Sequence, residues 1–329
     1  MRIFSNLWPE PALNFAGSQK RPDKHSIYYE VRGSPRGKNV LFLHGGPGRG
    51  IADSVWSFFN PRVYRVILVD QRGCGNSKPR GELDANNTWA LIEDLESIRD
   101  LLDIDRWMIF GSGWGSALGL AYAQSHPTRV SEMILNNVIT FRQKEIEWLF
   151  QYGASEHFPD AWERFLEPVR HIRKPPLKAY HDLLTRGDEC EQAAAVRGWS
   201  IWEQATSEIY DLDDCETYSD QATVVAKIAC HYFVNAGFFT ADTQLLENME
   251  TIREHKIPGV IVHGEDDMAN PIAHARDLAL AWPEAEYVVV PDAGHSTRNP
   301  KIQKALTKAT EKFGGCGCLF KFGTNRSND

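Results

Sequence analysis

The chain reads as an α/β protein: a mostly parallel sheet flanked by helices, with an all-helical segment inserted between its two parts. Three observations carry this. Apolar runs such as "NVLFLH" (39–44) and "YRVILVD" (64–70) end at polar or glycine-rich turns, as strands buried on both faces of a parallel sheet do. Segments of helical period alternate with these runs, giving the strand–helix–strand rhythm of βαβ units. From about residue 140 to 245 the buried-strand runs stop, and every segment has helical period and is rich in Trp, Tyr and Phe.

Taken in order, "SIYYEV" (26–31) alternates polar and apolar and predicts a strand. The runs at 39–44 and 64–70 follow. In "TWALIEDLESIRDLLDI" (88–104), Leu91, Leu95, Ile98 and Leu102 form one stripe, which predicts a helix. "RWMIF" (106–110) is a strand, "GSALGLAYAQSHP" (115–127) a small-residue helix stopped by Pro127, and "EMILNN" (132–137) another strand. "KEIEWLFQYGA", "DAWERFLEPV", "CEQAAAVRGWSIWEQAT" and "TVVAKIACHYFVNAGF" are helical in period. The sheet resumes with "PGVIVHG" (258–264), a helix over "AHARDLALAW", "AEYVVVPDAGH" (284–295), and a last helix "KIQKALTKATEKF". The expected division is a core over 1–139, a helical cap over 140–245, the rest of the core over 246–314, and a loose tail over 315–329. Ligands of such sheets bind outside the carboxyl ends of the strands, where a cap would close over them.

Composition limits the function. Of 329 residues, 42% are hydrophobic and 24% charged, and the formal net charge is -8, which disfavours nucleic acid or an anionic membrane as partner. "MRIFSNLWPEPALNF" lacks the apolar run of a signal peptide, and no stretch approaches the ~20 apolar residues of a membrane span. A cytoplasmic protein acting on a small molecule, without cofactor or metal, is expected. The six cysteines (Cys74, Cys190, Cys215, Cys230, Cys316 and Cys318) are scattered without a CxxC pair and read as reduced thiols. Cys316 and Cys318 alone are too few ligands to argue for a metal site.

The segment "IFGSGWGSAL" (109–118) runs from a strand through a tight glycine turn into a helix. Where the hydrolase elbow Gly-x-Ser-x-Gly has serine at its centre, this chain has Gly113 between Gly111 and Gly115. The ordered set "LHGGPG" (43–48), "DQRGCGNS" (70–77), "FGSGWGSALGLAYAQSHPTRVSEM" (110–133), "WEQAT" (202–206), "HYFVNAGF" (231–238), "VHGEDD" (262–267) and "PDAGHS" (291–296) resembles the prolyl aminopeptidases, or proline iminopeptidases. These are serine exopeptidases of the α/β-hydrolase fold that release an N-terminal proline. The resemblance spans about residues 8 to 313.

It implies a triad in the order Ser, Asp, His. The spacing His-Gly-x-x-Asp selects Asp267 over Asp266, and "PDAGHS" supplies His295. The Asp orients the imidazole and the His moves the proton. The oxyanion hole would be the backbone N–H groups of Gly46 and Trp114. The nucleophile position is then Gly113, vacated. In several relatives that serine has φ above zero, which glycine adopts freely. Losing a serine nucleophile costs roughly a millionfold in kcat.

Other departures cluster around it. Of the two glutamates with which the family binds the free amine, one is Glu203, while the other position is Ala229 in "KIACHYF". The family's "L-R-G-I-F" is "LNNVI" (135–139), which puts Asn136 in the substrate channel, and Ala236 replaces an Arg. Cys230 and Tyr232, beside Ala229, are expected to contact substrate with it. Ser112 and Ser116 are adjacent hydroxyls, but a standard elbow points them elsewhere. A reactive thiol at Cys230 is set against a buried inert one.

Three readings follow. One is a repurposed enzyme using a His295–Asp267 base and the oxyanion hole for cyclisation, elimination, isomerisation or direct water attack on a small metabolite, as in a biosynthetic pathway. The others are a proline iminopeptidase inactivated by a point substitution, and a non-catalytic ligand-binding descendant.

Overall fold

Strand β3 (Lys38–Leu43) shows how the sheet is built. Its side chains alternate between two cores. Leu41 and Leu43 join one apolar cluster, with Ile67, Ile109 and Leu135. Val40 and Phe42 join the other, with Val66, Phe110 and Ile134. A strand buried on both faces must be apolar at every position, hence the unbroken run in the sequence. Each such side chain contributes about 1.5–3 kcal/mol of burial.

A computed structural model describes residues 7–52, 55–207 and 219–315. Its eight strands are β1 (Leu13–Lys20), β2 (Ser26–Gly33), β3, β4 (Tyr64–Val69), β5 (Trp107–Ser112), β6 (Val130–Asn136), β7 (Gly259–Gly264) and β8 (Glu286–Val290). They form one sheet in the order β1-β2-β4-β3-β5-β6-β7-β8. The pairs β1–β2 and β2–β4 are antiparallel; β3–β4 and all pairs from β3 to β8 are parallel. Strand β1 has no counterpart in the sequence reading. Most of its residues are exposed, with Leu13 and Phe15 about half so, so no apolar register marks it, and pairing with β2 defines it.

Helices α1 (Thr88–Leu101) and α2 (Trp114–Ser125) pack on the Leu41 face. The stripe Leu91, Leu95 and Ile98 of α1 is buried there. Asn87 caps α1, its side chain accepting from the Ala90 N–H at 3.0 Å, which typically contributes about 1 kcal/mol.

Between β6 and β7 the described residues form helices and no strand: α3 (Gln143–Phe150), α4 (Ala154–His157), α5 (Pro159–Leu166), α6 (Pro176–Arg186), α7 (Glu189–Ser207), α8 (Asp220–Val234), α9 (Gln244–Glu247) and α10 (Met249–Glu254). Stacked aromatics join them: Phe165 lies 4.3 Å from Tyr180, and Phe150 lies 5.2 Å from Trp199, centroid to centroid. Helix α11 (Ile272–Ala281) follows β7. Helix α12 (Pro300–Phe313) closes the second face, burying Ile302 and Leu306 in the Val40 cluster.

Among the described residues no helix is long and apolar enough to cross a membrane. Cys74 and Cys230 are buried free thiols and Cys190 is an exposed one. Cys215, Cys316, Cys318 and the expected tail beyond Gly315 lie outside the described residues.

Candidate active site

The sharp turn between β5 and α2 sits at the carboxyl end of the parallel strands, and its three glycines have different reasons. A Cβ on Gly111 would lie 2.2 Å from the Gly115 carbonyl oxygen, and one on Gly115 would lie 2.0 Å from the Leu43 carbonyl oxygen. Backbone crowding therefore excludes side chains at both. At Gly113 a Cβ would meet no atom within 4 Å. Its backbone is nonetheless unusual, with φ 55° and ψ -120°, a conformation that suits glycine. The turn is pinned on both sides. The Gly113 N–H donates to the Asn136 carbonyl at 2.9 Å. The Gly113 carbonyl accepts from the Ser116 N–H at 2.8 Å and its hydroxyl at 2.6 Å.

His295 stands in the loop after β8. Its Nδ1 lies 2.9 and 3.0 Å from the two carboxylate oxygens of Asp267. With Nδ1–H donating to that carboxylate, Nε2 is left as the proton acceptor. Asp267 is 1% exposed, and its Oδ1 also accepts the Asn270 N–H at 2.8 Å. Burial pushes the Asp267 carboxyl up, but the His295 charge and hydrogen bond, with His263 and the Asn270 N–H, outweigh this and hold its pKa below the usual value. Asp266 is exposed, unlike Asp267. Beneath Asp267 lies His263, Nε2 3.6 Å from Oδ2. Burial lowers the pKa of His263, and its Nε2–H donates to the Asn270 carbonyl at 2.7 Å.

A cavity of about 250 Å³ opens over the turn, lined by Gly45, Gly46, Ser112, Gly113, Trp114 and His295 from the sheet side. Leu149, Phe150, Trp199, Trp202, Glu203, Ala229 and Phe233 line it from α3, α7 and α8. Trp114 is the first residue of α2, where the backbone N–H has no partner within the helix. Gly46, with φ 112°, lines the cavity together with Trp114, so the residues of the two expected donors share its wall. The Trp114 indole N–H donates to Gln71 Oε1 at 2.7 Å, and Gln71 Nε2 donates to the His44 carbonyl at 3.2 Å. Gln71 thereby ties the turn after β4 to the loop carrying Gly46 and to the start of α2. Its role was not read from the sequence, although it lies within "DQRGCGNS".

Three residues expected to touch substrate lie off the cavity lining. Asn136 is fully buried in β6; its carbonyl holds Gly113, and its Nδ2 lies 3.3 Å from Ser112 Oγ. The next residue does reach the site. Asn137 donates from its side chain to the His295 carbonyl, and its own carbonyl accepts from Asn270 Nδ2 at 2.8 Å.

On α8, Ala229 and Phe233, four apart, share the face toward the cavity. Cys230 and Tyr232 flank that face and pack inward. The Cys230 thiol lies 3.5 Å from the Leu177 carbonyl, and burial pushes its pKa up, the opposite of an activated thiol. Tyr232 donates to Asn86 Oδ1 at 2.9 Å and packs its ring 4.7 Å from that of Trp114. Of the adjacent serines, Ser116 is locked onto the turn and Ser112 is paired with Asn136; neither is hydrogen-bonded to His295. Glu203 lines the cavity, with its Oε1 2.9 Å from Arg49 Nη2. Arg49 lies just outside "LHGGPG" (43–48), and no sequence motif marks it. Among the described residues no group of three or more His, Cys, Asp or Glu could hold a metal ion.

A parallel sheet carrying a glycine elbow and a His–Asp pair at its carboxyl edge is the architecture of an α/β hydrolase, and the model of that fold family matches residues 38–297. The proline iminopeptidase of Xylella fastidiosa (strain Temecula1 / ATCC 700964) is 44% identical over 311 residues, 93% of this chain and 99% of that one. The proline iminopeptidase of Arabidopsis thaliana is 44% identical over 303 residues, 91% of this chain and 79% of that one. The chain belongs to the proline iminopeptidase family of α/β hydrolases. The crystal structure of the Mycobacterium smegmatis proline iminopeptidase superposes with a TM-score of 0.63 at 18% identity, over 91% of this chain and 99% of that one, which is a likeness of fold.

Proposed function

We infer that this chain is an enzyme of small-molecule acyl chemistry that works without a covalent intermediate, with His295 as general base. The observation that carries this is the open space at Gly113, where a Cβ would meet no atom beyond the adjoining residues within 4 Å, on a cavity wall shared with His295. A serine hydroxyl would occupy that space, and a water can. His295 Nε2 takes a proton from the water as its oxygen attacks the acyl carbon. The N–H groups of Gly46 and Trp114 hold the developing oxyanion. The imidazolium, stabilised by Asp267, then returns the proton to the leaving oxygen or nitrogen as its bond to carbon breaks. The same base and anion hole serve cyclisation, elimination or isomerisation, but the room for a water favours hydrolysis.

Activated aryl esters test this. The wild type should turn over p-nitrophenyl esters without a burst, and His295→Ala should lose about 10²–10⁴-fold, the range for general-base catalysis. An unchanged rate in His295→Ala rules the mechanism out.

A second reading is favoured by the relatives. Two proteins named proline iminopeptidase are 44% identical over nearly the whole chain, and Glu203 remains in the cavity. Gly113 would then be an inactivating substitution in an aminopeptidase, a reading that leaves Ala229, the "LNNVI" segment and Ala236 without an explanation. Vigorous release of proline from a proline arylamide by Gly113→Ser would establish that reading.

A further inference from the structure

Arg49 projects from the glycine-rich loop after β3, and Glu203 from α7. Their ion pair, at 2.9 Å, joins these two elements across the cavity. The side chains are 36% and 23% exposed, which places the pair at the rim. Further in, Phe150, Trp199, Phe233 and Ala229 offer an uncharged wall. This has two electrostatic consequences. The Glu203 charge is already balanced, so an ammonium must displace a guanidinium to reach it. The Arg49 charge is balanced by the same contact, but its guanidinium has five N–H donors and makes one ion-pair contact among the described residues. Its fork matches a carboxylate in a bidentate geometry.

We propose that Arg49 is a specificity-determining residue that makes the cavity rim a receptor for a substrate carboxylate and, by occupying Glu203, excludes a free amine. The substrate class is a small acid with an apolar body, its carboxylate at the rim and its reacting acyl group at the Gly113 turn. The acyl end rests on the hydrolytic reading above; the carboxylate end does not.

Calorimetric titration of the full chain with 4-phenylbutanoate, 4-phenylbutylamine and 4-phenylbutanamide tests it. The wild type should bind the carboxylate at least about tenfold tighter than the amine, a factor equal to ~1.4 kcal/mol. R49Q should abolish that preference. E203Q, which releases Arg49, should tighten the carboxylate several-fold. Both substitutions are at a partly exposed pair, which costs little stability; should R49Q not fold, E203Q decides. A229W fills the cavity and should remove all binding. The proposal is overturned if the amine binds the wild type as tightly as the carboxylate, or if R49Q keeps the preference. It is equally overturned if E203Q leaves carboxylate affinity unchanged, if binding survives A229W, or if the carboxylate does not bind at all. A protein with the preference but no acyl turnover refutes the hydrolytic reading and keeps this one; hydrolysis without the preference does the reverse.

Discussion

Gly113→Ser is the most informative single change. A Cβ there meets no atom beyond the adjoining residues within 4 Å, so the added Cβ has no packing cost. The backbone remains, with φ 55° and ψ -120°. Holding a non-glycine residue in so sparse a region costs about 1–3 kcal/mol, offset by about 0.4–1 kcal/mol of lost unfolded-state freedom. A net loss of about 1–2 kcal/mol, or a few degrees in melting temperature, is expected. The new hydroxyl would stand at the start of α2, on the cavity wall that carries His295. A fluorophosphonate should therefore label Gly113→Ser stoichiometrically within the peptide 109–118, leave the wild type unlabelled, and react at least about 10³-fold more slowly with Gly113→Ser/His295→Ala. Gly113→Ala supplies the control: the same stability loss, no labelling, and weakened ester hydrolysis because the methyl takes the water's place. A folded Gly113→Ser protein that resists labelling would refute the reasoning, because the turn and the His295–Asp267 pair would then not converge on one point.

Gly115→Ala should behave oppositely to Gly113→Ala: its Cβ would lie 2.0 Å from the Leu43 carbonyl, so a loss of about 3 kcal/mol or more is expected in urea denaturation, and an unshifted midpoint contradicts the packing argument. Gln71→Leu leaves the Trp114 indole N–H without its partner; a loss of about 1–3 kcal/mol with lower ester turnover is expected, and full activity would show that the tie does not position the oxyanion donors. His44, His263 and His274 are buried, and burial lowers the pKa of each. Below the unfolded value of about 6.5 the unfolded chain takes up protons that the folded chain refuses. Stability is therefore full above that pH and should fall, as pH drops from about 6.5 toward the lowered values, by up to ~1.4 kcal/mol per unit for each histidine. Denaturation midpoints equal at pH 7.5 and 5.5 would contradict this.

The central strands were legible because burial on both faces forces unbroken apolar runs, and the Asp267–His295 pair was legible because short motifs fix it locally. The residues that were misplaced share a different physics. On α8, Ala229, Cys230, Tyr232 and Phe233 are all buried, so hydrophobic periodicity cannot say which face meets the cavity; neighbouring helices decide. At the end of β6 the expectation fell one residue short. Asn136 is the last strand residue, turned into the sheet, while Asn137, with φ 52°, is released toward the His295 loop.

The Arg49–Glu203 pair left no local trace, since its members are far apart in sequence and meet only when α7 comes to line the cavity. Yet that contact changes what Glu203 means. From the motif alone, Glu203 reads as half of an amine receptor weakened by the loss of its partner at Ala229. With Arg49 at 2.9 Å its charge is already taken. Restoring a carboxylate at 229 would therefore not by itself rebuild an amine site: the new charge would stand in a wall that is 2% exposed at that residue, where burial favours its neutral form, while Arg49 still covered its partner. Amine recognition requires both changes, Ala229→Glu and Arg49→Gln, and the double substitution should bind 4-phenylbutylamine more tightly than the sum of the single effects predicts.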